Sequence, residues 1–201
     1  MFDPYPPHVE RLCVFCGSSA GNRPAYADAA RLVGTRLAER GIGLVYGGGR
    51  VGLMGVVADA VLAAGGEAIG VIPRSLVDRE LAHTGLTELR VVESMHARKA
   101  LMHELSAAFV ALPGGFGTLD ELAEAVTWSQ LGLHRKPCGL LDVERYFAAL
   151  VAFLERATAD GFVGGSLENL LVVDDDVGRL LDRLQAHEPP RPRWSDGGIR
   201  P

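Results

Sequence analysis

The 201-residue sequence has few cysteines, namely Cys13, Cys16 and Cys138. An odd number without framework spacing fits a reducing compartment better than a disulfide scaffold. Cys13 and Cys16 spell Cys-x-x-Cys, but they lie within and at the end of an apolar run. A redox pair would instead sit at a helix N-terminus. We therefore interpret both residues as buried structural cysteines.

Long apolar runs and concentrated positive charge are also missing. No stretch is long and apolar enough to span a bilayer, and residues 1–9 contain three prolines and no apolar core of a signal peptide. The basic residues are scattered and the net charge is −5. Sequence-independent nucleic-acid binding needs a concentrated basic surface. We expect a soluble, cytoplasmic protein with a small-molecule partner, and neither nucleic acid nor membrane as a partner.

The histidines do not indicate a metal site. The six histidines include no His-x-x-x-His pair joined to a nearby acid. A zinc site would need three or four convergent ligands. The sequence therefore predicts no bound metal.

Short apolar runs alternate with longer helical patterns along the chain. This alternation is typical of βαβ units and predicts an α/β, three-layer Rossmann-like fold, a parallel sheet of about seven strands with helices on both faces. We predict strands at 11–16, 43–46, 67–72, 88–92, 107–112, 137–141 and 170–173, and helices at 24–40, 53–64, 95–106, 118–131, 146–160 and 175–185. The predicted organisation is a flexible N-terminus (1–10), one domain (11–186) and a disordered, proline-rich tail (187–201).

Three glycine-rich loops follow predicted strands. Ligands of open parallel sheets bind outside the carboxyl ends of the strands, where these loops fall. Each loop alone is also compatible with a tight turn, but the three together predict a phosphate-binding cleft. The loops contain Gly17-Ser18 after the first strand, Gly47-Gly48-Gly49 after the second, and Gly114, Gly115 and Gly117 after the fifth.

The third loop carries the strongest signal. The sequence Pro-Gly-Gly-Phe-Gly-Thr-Leu-Asp-Glu (113–121) follows an apolar run and opens a helical pattern. Backbone N–H groups at a helix N-terminus are unsatisfied, and glycines let a phosphate approach them closely. Glu121 lies one turn into the same helix. The pattern predicts a phosphorylated ligand held beside a carboxylate.

The second loop matches a dinucleotide fingerprint only formally. Gly47-x-Gly49-x-x-Gly52 lies between a strand and a helix. The fingerprint also requires an acid at the end of the next strand, whereas Arg74 follows that strand and the first carboxylate is Asp78. Arg74 could bind the 2′-phosphate of NADP, so an NADP site remains an alternative. A Walker A loop is excluded because no Gly-Lys-Ser/Thr follows either glycine loop.

A pair of cations opens the helix after the fourth predicted strand, in Met95-His96-Ala97-Arg98-Lys99. The planar guanidinium of Arg98 and the point charge of Lys99 suit a phosphate, or hydroxyls that become acidic in a transition state. A solvated basic pair on a helix face is the alternative. Glu80 lies in a polar segment, where a surface acid is the default interpretation.

Taken together, these motifs resemble the LONELY GUY family, the cytokinin riboside 5′-monophosphate phosphoribohydrolases. The resemblance runs from residue 14 to residue 172 and is most specific in Met95-His96-x-Arg98-Lys99 and in Pro-Gly-Gly-x-Gly-Thr-x-x-Glu (113–121). It implies that Arg98 and Glu121 are catalytic. It further implies nucleotide contacts from Glu80, Arg98, Lys99, Gly115, Phe116, Gly117, Thr118, Leu119, Asp120, Glu121 and Thr127. Two helical steps of three bring Thr127 near the face of Glu121.

The resemblance implies hydrolysis of the N-glycosidic bond of an N6-modified adenosine 5′-monophosphate, without a cofactor, by a homodimer. The helix at 118–131, with Trp128 and Leu131, is a plausible interface. A plain AMP nucleosidase, a molybdenum-cofactor carrier and a DNA-processing protein of related fold remain alternatives. A carrier would need the phosphate loop but not a paired Arg98 and Glu121, and the acidic net charge disfavours the DNA-processing reading.

Members of this family are often labelled lysine decarboxylases, and the sequence argues against that label. Pyridoxal phosphate needs a lysine for its Schiff base, and only Lys99 and Lys136 are present. Lys99 belongs to the nucleotide motif. Lys136 precedes a predicted strand, on the side away from the cleft.

Overall fold

The computed structural model describes residues 9–79, 81–164 and 166–187. In these ranges the strands are β1 (Arg11–Phe15), β2 (Gly43–Tyr46), β3 (Ala68–Pro73), β4 (Glu88–Val92), β5 (Ala108–Ala111), β6 (Cys138–Leu141) and β7 (Val172–Asp174). They form one parallel sheet in the order β4-β3-β2-β1-β5-β6-β7. The predicted parallel sheet of about seven strands is confirmed.

The helices of the described residues are α1 (Pro24–Glu39), α2 (Gly52–Ala63), α3 (Arg74–Val77), α4 (Met95–Leu105), α5 (Phe116–Gln130), α6 (Ala148–Ala159), α7 (Leu167–Leu170) and α8 (Val177–Gln185). All six predicted helices are confirmed to within a few residues. The sequence did not predict α3 and α7, which are too short to show a helical period. A 3₁₀ turn, Val143–Arg145, precedes α6, which therefore begins two residues later than predicted.

Alternate side chains of the central strands enter two hydrophobic cores, one on each face of the sheet. Leu12 and Val14 of β1 pack with the buried residues of α1, α2 and α8. Cys13 and Phe15 of the same strand point to the other face and pack with Met102 of α4 and with buried residues of α5. Helices therefore cover both faces, as the apolar runs predicted for a parallel sheet buried on both sides.

The order of the strands places a switch point beside β1. The chain moves from β1 toward β4 on one side and then returns to β5 on the other side of β1. The loops after β1 and β5 consequently diverge onto opposite faces, and such crevices are where open α/β sheets bind ligands. The two loops touch at their base, since Gly17 N–H donates to the carbonyl of Pro113 at 3.0 Å.

The three cysteines are buried with free thiols, which confirms the structural interpretation of Cys13 and Cys16. Burial raises the pKa of both thiols, and raises that of Cys138 to about 12. A thiolate is the reactive form of cysteine. These residues therefore behave as small apolar side chains of the core.

Some expectations fall on residues outside the described ranges. These are Glu80, residues 1–8 of the predicted flexible N-terminus and residues 188–201 of the predicted tail. Among the described helices, none combines the length and the apolar character needed to cross a bilayer.

Two histidines lie in an aromatic cluster between α4 and α5. The His103 ring lies 4.5 Å, between centroids, from both Phe109 and Trp128, and 5.8 Å from His134. Both ring nitrogens of His103, and Nε2 of His134, are buried without a hydrogen-bond partner among the described residues. Burial lowers the pKa of each histidine to about 4. The fold therefore holds both rings in the neutral form.

We expect His103 and His134 to contribute a loss of stability as the pH falls from about 6.5 to about 4, because these histidines bind protons in the unfolded chain and not in the folded one. Thermal unfolding followed by circular dichroism across this range measures the effect. His103→Leu should flatten the pH dependence, while the same change in the exposed His96 should leave it as in the wild type. Equal pH dependence in His103→Leu and the wild type would show that His103 is not responsible.

Candidate active site

Helix α5 begins directly after the glycine loop that follows β5. Gly115 is its N-cap residue and Phe116 its first residue, so the N–H groups at this end have no acceptor within the helix. The positive end of the helix dipole adds to their attraction for an anion. The predicted arrangement of strand, glycine loop and helix N-terminus is confirmed.

The glycines of this loop have two different roles. A Cβ on Gly114 would lie 2.1 Å from Oγ1 of Thr118 and 2.9 Å from the nitrogen of Gly17, so this glycine permits close packing within the protein. A Cβ on Gly115 or Gly117 would meet no atom within 4 Å. Protein packing therefore does not explain Gly115 and Gly117, whereas an approaching ligand would.

Arg98 is fixed by two backbone carbonyls at the carboxyl edge of the sheet. Its Nε donates to Val71 O and its Nη2 donates to Gly47 O, both at 3.1 Å. The residue is only 8% exposed, and its Nη1 lies 3.8 Å from Sδ of Met95. These two hydrogen bonds hold the guanidinium in place. Because none of its described hydrogen-bond partners is a carboxylate, its positive charge remains available to a ligand.

Glu121 is a partly buried carboxyl near this cation. Burial raises its pKa to about 7, although the charges of Arg98 and Lys99 act in the opposite direction. A carboxyl with a pKa near neutrality can exchange a proton at the pH of the cell. Titratable groups with such shifts, when they lie at the cleft of an α/β sheet, mark candidate catalytic residues.

Lys99 is engaged by two carboxylates of α5. Its Nζ lies 3.0 Å from Oδ2 of Asp120 and 2.9 Å from Oε2 of Glu124. These contacts raise the pKa of Lys99, with Glu124 making the largest contribution. The pair of ion pairs ties α4 to the first turns of α5, and so fixes Arg98 relative to Glu121. The sequence analysis missed Glu124, although its spacing of four residues from Asp120 on one helix could have revealed it.

The second glycine loop is held by a short crossing segment, residues 81–83. Arg50 N–H donates to Leu81 O at 2.9 Å, and His83 N–H donates to Gly48 O at 2.9 Å. The His83 ring is anchored in turn, with Nε2 2.9 Å from Asp59 and Nδ1 accepting from Gly85 N–H at 3.0 Å. This segment follows position 80, which lies outside the described residues.

The remaining predicted site residues fall in different places. Phe116 is 92% exposed at the mouth of the loop, Leu119 is partly exposed, and the Thr118 side chain is buried. Thr127 is exposed on α5. An ideal helix sets it about 9 Å along the axis and about 120° around from Glu121, so it does not share that residue's face. A substrate contact from Thr127 remains a prediction.

Comparison with known proteins shows the family of this chain. A family model described as "Possible lysine decarboxylase" matches residues 54–184. A cytokinin riboside 5′-monophosphate phosphoribohydrolase of Arabidopsis thaliana is 48% identical over 180 residues, which cover 90% of this chain and 84% of the relative. The chain belongs to the LONELY GUY family. A second LONELY GUY protein, the probable phosphoribohydrolase of Oryza sativa subsp. japonica, is 51% identical over 179 residues, 89% of this chain and 79% of the relative.

Solved structures share the fold of this LONELY GUY protein at lower identity. The molybdenum cofactor binding protein of Rippkaea orientalis superposes with a TM-score of 0.67 at 20% identity, covering 90% of this chain and 98% of the other. DNA processing protein A of Helicobacter pylori gives a TM-score of 0.55 at 12% identity, covering 89% and 81%. These similarities show the common Rossmann-like architecture.

The description of the family model as a decarboxylase does not fit the two lysines. Lys99 is bound between Asp120 and Glu124. Lys136 precedes β6, at the amino edge of the sheet and so opposite the glycine loops, where its Nζ donates to the His103 carbonyl. Neither lysine lies free at the cleft to form a Schiff base.

Proposed function

We propose that this protein hydrolyses the N-glycosidic bond of adenosine 5′-monophosphates, both AMP and those with an N6 substituent such as a prenyl group. The products are the free base and ribose 5-phosphate. The observation that carries the proposal is the placement of Glu121, a carboxyl with a raised pKa, one turn beyond the open N-terminus of α5 and beside the fixed Arg98. The names of the relatives from Arabidopsis and rice support the same reaction and substrate class.

The 5′-phosphate would bind at residues 115–118, where unpaired N–H groups and the helix dipole attract an anion. The loop containing Gly17 and Ser18, and the loop of Gly47 to Gly49, border the same edge of the sheet and would contact the nucleotide from the other side of the switch point. Arg98 would orient the ribose and phosphate, and Glu80 would add a carboxylate. Lys99 would act together with its partners Asp120 and Glu124.

In the proposed reaction, the bond from C1′ to the base nitrogen breaks and its electron pair leaves with the base. Positive charge develops at C1′, as in other glycosyl transfers. The carboxylate of Glu121 stabilises this charge and accepts a proton from the attacking water, whose oxygen bonds to C1′. The base nitrogen takes up one proton from solvent and Glu121 releases to solvent the one it accepted, so the net change is the addition of one water. The reaction consumes one water and needs neither a metal nor an organic cofactor.

A carrier function on the same fold is the rival reading. The similarity to molybdenum-cofactor proteins rests on 20–24% identity and concerns the fold. A carrier gains nothing from a partly buried carboxyl with a raised pKa beside its ligand, because a desolvated acid is costly to keep. The placement of Glu121 where the charge of Arg98 acts on it therefore favours hydrolysis.

Chromatographic identification of products tests the proposal directly. The full chain is incubated without cofactor with AMP, with N6-isopentenyladenosine 5′-monophosphate and with an uncleavable carbocyclic analogue of AMP as control. We expect free base and ribose 5-phosphate in equal amounts from both substrates. Binding of the nucleotides without any base release would favour the carrier.

Gly117→Ala should separate ligand binding from protein stability. In the first turn of α5 an alanine should stabilise the fold by about 0.5–1 kcal/mol, because glycine is a poor helix former and the new Cβ meets no protein atom. The same Cβ intrudes on the proposed phosphate position. We therefore expect a higher melting temperature together with at least a roughly tenfold loss of kcat/KM for AMP.

The matched control for this variant is Gly161→Ala, in the turn after α6. Gly161 has a positive φ of 82°, and a Cβ there would meet no atom within 4 Å. The substitution should lower stability, because alanine disfavours that conformation, and leave kcat/KM unchanged. Unaltered AMP kinetics in Gly117→Ala would move the phosphate away from the start of α5.

We also propose that the protein is a homodimer in the cytoplasm, with α5 at the interface. Leu131, the C-cap residue of this helix, is 44% exposed and Leu133 is 68% exposed. Exposed apolar side chains grouped at one helix end favour association. Light scattering of the purified full chain measures its mass in solution.

A further inference from the structure

The loop that would hold the phosphate receives a hydrogen bond from the turn that follows β6. Tyr146 Oη donates to the carbonyl of Gly114 at 2.6 Å. The Tyr146 ring is itself held edge-on by Tyr26 of α1, with centroids 5.5 Å apart, and by Phe147 at 4.9 Å. The hydroxyl is thus presented to the loop by an aromatic support from two parts of the chain.

The turn that presents Tyr146 is strained. Glu144 and Arg145 are consecutive non-glycine residues with left-handed φ angles of 49° and 61°. The left-handed conformation is unfavourable for a residue with a Cβ, because that atom crowds the following carbonyl oxygen. The conformation is held by Arg23, which donates to Glu144 at 2.6 Å, and by Asp142, which accepts from Phe147 N–H at 2.7 Å. Strain that several contacts enforce is typical of segments with a positioning role.

The hydrogen bond to Gly114 determines the direction of a neighbouring donor. The carbonyl of Gly114 and the N–H of Gly115 belong to one planar peptide, and the described chain has no cis peptide bond. In a trans peptide these two groups point in opposite directions. Tyr146 therefore turns the Gly115 N–H away from its own hydroxyl, and at Gly115 a Cβ would meet no protein atom within 4 Å.

The preceding peptide is fixed in the same manner from the other side. The carbonyl of Pro113 accepts from Gly17 N–H at 3.0 Å, in the loop after β1. Strands β1 and β6 flank β5 in the sheet. The loop after β5 is therefore clamped by both neighbours, and Tyr146 provides the clamp from β6.

We propose that Tyr146 is a positioning residue for phosphate recognition, which aims the Gly115 N–H at the phosphate of the substrate. The inference rests on the proposed function only in taking a phosphate monoester as the ligand of this loop. Tyr146 touches no reacting atom in this account. Its effect should thus appear in phosphate affinity and leave the chemical step and the handling of unphosphorylated nucleosides unchanged.

Tyr146→Phe tests the proposal, because it keeps both ring contacts and removes the hydroxyl alone. We expect the KM for AMP and the inhibition constant of inorganic phosphate to rise by the same factor, about three- to tenfold, as for loss of one hydrogen bond. The kcat, the kcat/KM for adenosine and the melting temperature should stay close to wild type. Tyr26→Phe is the control, since the Tyr26 hydroxyl forms no hydrogen bond to another described residue, and it should match the wild type in every measurement.

Calorimetric titration with inorganic phosphate and AMP keeps the test independent of catalysis. If the wild type released no base but bound AMP more tightly than Tyr146→Phe, the proposed reaction would fail and the positioning role would stand. Equal phosphate affinity in the two proteins, or no phosphate binding by the wild type, would overturn the positioning role. So would an equal loss for AMP and adenosine accompanied by a drop in melting temperature.

Discussion

Glu121→Gln should reduce kcat for AMP by roughly three to five orders of magnitude while changing nucleotide affinity by less than about tenfold. The amide has the shape of the carboxyl, but it can neither accept the proton of the attacking water nor stabilise the positive charge that develops at C1′. Single-turnover measurement of base release, with calorimetric binding of AMP, separates the two effects. Glu124→Gln, on the same helix, is the comparison, and it should lose far less activity because Glu124 pairs with Lys99. A Glu121→Gln enzyme that kept near-normal turnover would exclude the catalytic role.

The same substitution should stabilise the protein at alkaline pH. The folded pKa of Glu121, about 7, lies above its usual value, so the folded state binds more protons than the unfolded state between about pH 4.5 and 7. Stability is therefore lost as the pH rises through this window. Glutamine carries no charge to desolvate, and we expect a gain of order 1–3 kcal/mol at pH 8. Lower stability of the variant at pH 8 would mean that the carboxylate is well solvated or well paired.

The pH dependence of the wild type follows from the same carboxyl. If the ionised form reacts, kcat/KM rises with pH and levels off above about 7. The 5′-phosphate of the substrate also titrates, near pH 6. The pH profile of the residual activity of Glu121→Gln should show only the titration of the substrate phosphate. This comparison assigns the higher pKa to Glu121.

Gly47→Ala should disable the site by displacing Arg98, without a substitution at either proposed catalytic residue. A Cβ at position 47 would lie 1.7 Å from Nη2 of Arg98 and 2.8 Å from its Cζ, so the guanidinium must leave its place between the Val71 and Gly47 carbonyls. Displacement of a catalytic group by about 1 Å can lower the rate about 100-fold. We therefore expect kcat/KM for AMP to fall by at least that factor.

The control for this prediction lies at the other end of the same strand. A Cβ on Gly43 would lie 2.6 Å from Oε2 of the flexible Glu67 side chain, 3.1 Å from Cγ of Arg11 and, at ordinary contact distance, 3.6 Å from the Glu10 carbonyl. Gly43→Ala should therefore cost some stability and little activity. If Gly47→Ala were as active as Gly43→Ala, the fixed position of Arg98 would have no part in the reaction.

The strands and the long helices were predictable because each shows its own hydrophobic period. The loops after β1, β2 and β5 were predictable as one site, since parallel strands bring their carboxyl ends to one edge. Glu121 could be placed beside that site by counting one helical turn. These inferences depend only on local sequence and on the geometry of parallel sheets.

Other features of the site depend on contacts between distant segments. Nothing near Arg98 in the sequence indicates that the carbonyls of Val71 and Gly47 hold it. Lys99 was predicted as a ligand contact, and its ion pairs with α5 become visible only in the folded chain. The left-handed turn at Glu144 and Arg145 lacks the glycine or asparagine that signals such a conformation, so Tyr146 had no signature.

In the proposed reaction, a bound 5′-phosphate positions the glycosidic bond beside Glu121. The most direct test is the ratio of kcat/KM for AMP to that for adenosine, measured without cofactor by release of adenine. We expect a ratio of at least roughly a thousand, because the anchored phosphate supplies the binding energy that orients the reacting bond. Adenosine cleaved as efficiently as AMP would contradict it.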